Sequence, residues 1–93
     1  MMYPFLTLPD GTEIVHSEAQ MIDGKEQVKV YVEKPCEGGF KSAVCSLPEY
    51  RWTGIQGFDQ QEMEKIREIV SSSAHLLIRF AREGGVEGNA SNF

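Results

Sequence analysis

The chain has 93 residues, 14 Asp plus Glu against 9 Lys plus Arg, and a formal net charge of −5. That length accommodates one domain with one core and excludes a catalytic barrel or a doubly wound sheet. Residues 1–24 contain no Lys or Arg, and the later basic residues are interleaved with acids. This pattern argues against nucleic acid or an anionic membrane as partner, and it leaves a basic protein as the charged partner to expect.

No stretch approaches the roughly 20 apolar residues of a membrane span. Met1-Met2-Tyr3-Pro4-Phe5 has no basic leader, so a cytoplasmic location is expected. Cys36 and Cys45 form no CxxC, and no His lies at ligand spacing from them. Two reduced thiols, no metal and no other cofactor are therefore expected.

The first half of the chain reads as short strands cut by turn signals. Asp10-Gly11 sits between two apolar runs, which predicts a two-residue hairpin turn pairing Leu6 with Val15 and Phe5 with His16. Asp23-Gly24 predicts a second tight turn. Counting outward from it, Ala19 faces Val28, Ser17 faces Val30 and Val15 faces Val32. That register places Val15, Ala19, Val28, Val30 and Val32 on one face, with Glu18 opposite Lys29 and Glu13 opposite Lys34. A break near Ser17–Gln20 is the weakest point of the count. The outer face would then hold Phe5, Ile14, His16, Tyr31 and Val44.

Pro35-Cys36-Glu37-Gly38-Gly39 predicts a loop, and Phe40 to Leu47 a strand whose Ala43, Cys45 and Leu47 join the valine face, with Gly38-Gly39 leaving its register open. Tyr50 to Thr53 suits a short edge strand fenced by Gly54 and Gly57.

A helix is predicted over 59–83. Asp59 with Glu62 makes a capping box, and Phe58 with Met63 a hydrophobic staple. Met63, Ile66, Val70, Ala74, Leu77 and Ala81 recur at helical spacing, and Gly84-Gly85 supplies the stop. The expected fold is thus α+β, an antiparallel sheet of four to five strands packed by one long C-terminal helix. It forms a single domain over 1–85, followed by a flexible tail over 86–93.

The residues that could carry function point to contact more than to chemistry. Ile69, Leu76 and Phe80 widen the apolar arc of the helix beyond what one sheet requires. The expected outer sheet face brings Phe5, His16 and Tyr31 together. Tyr50-Arg51-Trp52 combines the residue types most enriched at binding hot spots, although Trp52 could instead plug the open end of the core. These nine residues are the candidate interface. His75 and Cys36 are the candidates for an alternative reading as a small-molecule binder or minor enzyme. No phosphate loop, G-x-S-x-G or H-E-x-x-H is present.

Three stretches, Pro4 to Ile14, Leu47 to Trp52 and Ala74 to Gly85, resemble small uncharacterised proteins of Firmicutes genomes. The resemblance implies a domain of unknown function, with mobile elements as one expected carrier. It transfers no catalytic residue. The expected function is a non-enzymatic protein-interaction or regulatory module that associates with itself as a homodimer, or with another protein.

Overall fold

The structure is a computed structural model and describes residues 2–84. The expected tail over 86–93 lies outside the described residues. Strand β1 (Met2–Thr7) turns into β2 (Glu13–Ser17) through a longer loop than the Asp-Gly pair predicts. The Gly11 N–H donates to the Leu8 carbonyl at 3.0 Å, and the Leu8 N–H donates to the Thr12 carbonyl at 2.8 Å. Proline's fixed φ suits the first turn position at Pro9, and Gly11 takes the left-handed position at φ 91°. The Asp10 carboxylate accepts the Thr12 N–H at 2.9 Å and closes the loop from within. The register changes accordingly. Tyr3, not Phe5, stands opposite His16, and Leu6 stands opposite Ile14 rather than Val15, with an irregularity at Phe5.

The Asp10 carboxyl is pulled down to about 2, first by the Thr12 backbone hydrogen bond and further by Lys34. A depressed folded-state pKa stabilises the fold above the ordinary value of 3.8, and that contribution is lost as pH falls through about 2. Asp10→Asn is therefore expected to flatten the acid limb of stability between those two values, read as the urea midpoint against pH.

The second turn is as tight as the sequence predicts. Strand β3 (Gln20–Ile22) pairs with β4 (Lys25–Cys36) across Asp23-Gly24, both at positive φ. Gln20 faces Gln27 and Ile22 faces Lys25. Between Gln20 and His16, however, the chain advances four residues while β4 advances three, because His16 faces Val30. The extra residue is absorbed at Ser17-Glu18-Ala19. The Ser17 hydroxyl accepts the Lys29 N–H at 3.0 Å, and the Ala19 N–H leaves the ladder for the Ala81 carbonyl of the helix at 3.2 Å.

One residue of slip reverses every side chain beyond it. Ile14 and His16 therefore point into the core, at 1% and 0% exposure, and Val15 points outward. The sequence-based assignment of these three residues is corrected accordingly. The expected cross-strand ion pairs go with it: Glu13 faces Glu33, and Lys34 reaches Asp10 at 3.3 Å instead.

Strand β4 runs on through Pro35 and Cys36, so the expected five-residue loop shrinks to Glu37-Gly38. Strand β5 (Gly39–Leu47) shares the inward face that the valine stripe predicts, and the structure fixes the register left open by the sequence: Ala43, Cys45 and Leu47 stand opposite Val32, Val30 and Val28. The edge strand β6 (Arg51–Gln56) is longer than expected, with its register shifting near Gly54. The sheet order is β1-β2-β4-β5-β6, with β3 added on β4.

Helix α1 (Gln60–Glu83) follows the sequence closely. The Asp59 carboxylate accepts the Glu62 N–H at 2.8 Å, and the Glu62 carboxylate accepts the Asp59 N–H at 3.1 Å. Gly84 ends the helix in the left-handed conformation. The six residues of the expected stripe are the buried ones, and they lie on Ile14, Val28, Val30, Val32, Ala43, Cys45 and Leu47. Ion pairs at both ends set the helix on the sheet: Lys41, with Lys34 at 3.9 Å, meets Glu62 near its N-terminus, and Arg82 meets Glu26 near its C-terminus. All are partly or largely exposed, so they fix position more than they stabilise. The cap contributes more. Asp59→Ala is expected to lower stability by about 1 kcal/mol, read by urea denaturation.

Candidate interaction surface

The helix covers one face of the sheet, and no described element covers the other. Side chains directly opposite on paired strands share a face, so the outer face can be read row by row from the register. The central row is Pro4, Val15, Tyr31, Val44 and Thr53, one residue from each strand of the main order. Val15, Tyr31 and Val44 are half-buried by their neighbours, and Pro4 and Thr53 are exposed. On one side of this row lie Glu13, Glu33, Ser42 and Gln56. On the other lie Lys29, Ser46 and Arg51. The open face is thus an apolar band with an acidic flank and a basic flank. Lys29, Glu13 and Glu33 are exposed and form no ion pair among the described residues.

The strand alternation that makes this face also disperses much of the expected interface. Of the nine candidates, Tyr31 and Arg51 are on the open face. Phe5, His16 and Phe80 form a cluster on the helix side, where Phe5 stands 6.4 Å from the His16 ring and 6.1 Å from Phe80. Tyr3 completes it at 5.6 Å from His16. Trp52 faces Cys45 and packs against the core, as does Ile69. Leu76 is half-buried on the helix. Tyr50 is exposed in the turn before β6, and Arg51 begins that strand with its guanidinium 3.2 Å from Glu49. Pro4, Val15, Val44 and Thr53 were not among the candidates, although Val44 was expected on the outer face. The missed signal is the apolar pair Ile14-Val15: only one of two adjacent residues in a strand can face the core.

His16 is the least expected buried side chain. Its Nδ1 lies 2.8 Å from the Ser17 carbonyl, an acceptor only, so Nδ1 carries the proton. Its Nε2 is buried with no hydrogen-bond partner. It lines neither of two grooves beside the helix. A groove of about 540 Å³ lies where the helix meets β4 and the β5–β6 turn, over Val28, Leu47 and Ile78 beside the Glu26–Arg82 pair. Another of about 440 Å³ lies between the first hairpin loop and the helix, over Leu8, Ile66 and Ile69 with Lys34 and Lys65 at its rim.

His75 and Cys36 line neither groove, and both are exposed, one on the helix and one at the β4–β5 turn. Burial pushes the Cys45 thiol up to about 11, which suits a core residue and not a nucleophile. Among the described residues, no group of three or more His, Cys, Asp or Glu side chains is placed to hold a metal ion. No described helix is long and apolar enough to cross a membrane. No family model, curated protein or solved structure matches the chain.

Proposed function

We propose that the protein is a non-enzymatic interaction module whose contact surface is the open face of the sheet, and that it associates with itself. One observation carries this reading: an apolar row of Pro4, Val15, Tyr31 and Val44 crosses four of the five strands of the main order, ends at Thr53 on the fifth, and is left uncovered by the one described helix. Continuous apolar patches with polar rims are characteristic of binding surfaces, whereas scattered exposed residues are not. Tyr31 at the centre of the row is the kind of residue that anchors such contacts, since its ring brings large area at low entropic cost.

Sedimentation velocity over a concentration series tests the reading. A shift from one-chain to two-chain mass between about 1 and 100 µM is expected, the range of a small interface. A single-chain mass throughout would contradict self-association.

A further inference from the structure

The charges on the open face are arranged to match a rotated copy of themselves. Along β4 the outward residues are Lys29, Tyr31 and Glu33 in succession, with Val28, Val30 and Val32 facing the helix side. Reading this strand in the opposite direction exchanges a cation for an anion about a central tyrosine. The neighbouring β5 reads Ser42, Val44 and Ser46 outward, which is the same in either direction. We infer that two copies pack open face to open face about a two-fold axis running along the apolar row, so that Glu33 of each copy meets Lys29 of the other.

This inference rests on the open face being the contact surface and adds the geometry of the contact. When two facing sheets pack with their strands aligned, a two-fold axis in the plane between them runs close to the row or close to the strands. The first superposes the apolar rows and brings each acidic flank over a basic one. The second sets Glu33 over Glu33 and Lys29 over Lys29, a like-charge arrangement that interfaces avoid. Charge therefore selects the first axis.

The sheet twist does not spoil the match. Facing sheets cross at about 30°, and Glu33 lies about 7 Å along the strand from Tyr31. The resulting sideways offset is about 3.5 Å, within reach of long Lys and Glu side chains. Five strands spaced by about 4.8 Å, averaging about 25 Å in length, give roughly 600 Å² of face per copy. Two such faces bury about 1,200 Å², the lower limit for a specific interface, so a weak dimer is enough to satisfy the area.

Charge exchange and cross-linking test the geometry separately from association itself. Lys29→Glu and Glu33→Lys are each expected to weaken the dimer by roughly tenfold or more, because each places like charges in contact twice per dimer. The double exchange, Lys29→Glu with Glu33→Lys, is expected to return to near the wild-type affinity. In a Cys36→Ser background, a short bismaleimide is expected to join a Lys29→Cys chain to a Glu33→Cys chain when the two are mixed. Neither chain alone should join to itself, since the like positions then stand about 13 Å apart along the strands. Dimers in which Lys29→Cys joins to itself would overturn the axis while leaving the open face as the contact surface. A chain that stays monomeric in every variant and in the wild type would overturn both.

Discussion

Ile14→Ala is expected to destabilise the fold by about 3 kcal/mol, and Val15→Ala by less than about 1 kcal/mol, under conditions where the chain is monomeric. Ile14 is 1% exposed among the core valines, so truncating it leaves a cavity as well as losing transfer energy. Val15 faces outward and is half-buried by its neighbours alone, so it loses little beyond some strand propensity. The two residues are adjacent and chemically alike, so the order of their effects reads the register of β2 directly. A larger loss at Val15 would place it in the core and move the apolar row off the open face. Urea denaturation of the two variants decides between these outcomes.

The difference between Ile14 and Val15 also shows where the sequence stops being legible. The helix is written locally: Asp59 and Glu62 cap it, Gly84 stops it, and its buried stripe recurs at helical spacing. The inward face of β5 is legible too, because Ala43, Cys45 and Leu47 alternate along it, but its register on β4 is not, since Gly38-Gly39 allows turns of several lengths and only the two-residue turn fixes it. The register of β2 depends on two events that no local pattern announces. One is the Ser17 hydroxyl standing in as acceptor for the Lys29 N–H. The other is the Ala19 N–H being drawn to the end of the helix, a contact spanning more than sixty residues. Both are tertiary choices between backbone and side-chain partners of similar strength. The candidate surface inherits this: Tyr31 was legible because β4 is anchored by its tight turn, whereas Val15 and His16 exchange faces with the slip.

Tyr31→Glu is expected to weaken self-association at least about a hundredfold and to leave the monomer folded. In the two-fold arrangement the substituted position lies against its own copy, so the change loses the central ring and adds like charges at the least hydrated point. The monomer tolerates it because Tyr31 lies outside the buried core. Met21→Ser serves as the control. Met21 is 70% exposed, yet it stands opposite Glu26, whose side chain reaches Arg82 of the helix, and so lies on the covered side. Association is expected to be unchanged in that variant. Equal losses from Tyr31→Glu and Met21→Ser would show that general hydrophobicity, not the apolar row, drives the contact.

In the proposed function, the uncovered face of the sheet is where the protein meets its partner. Backbone amide NMR spectra recorded across a dilution series test it most directly, since each residue reports its own surroundings. Concentration-dependent shifts are expected, centred on Val15, Tyr31 and Val44 and extending to Lys29 and Glu33. Residues on the exposed side of the helix, such as Glu64, Arg67 and His75, should stay fixed. Shifts that instead follow the helix, with the outer sheet face unchanged, would contradict it.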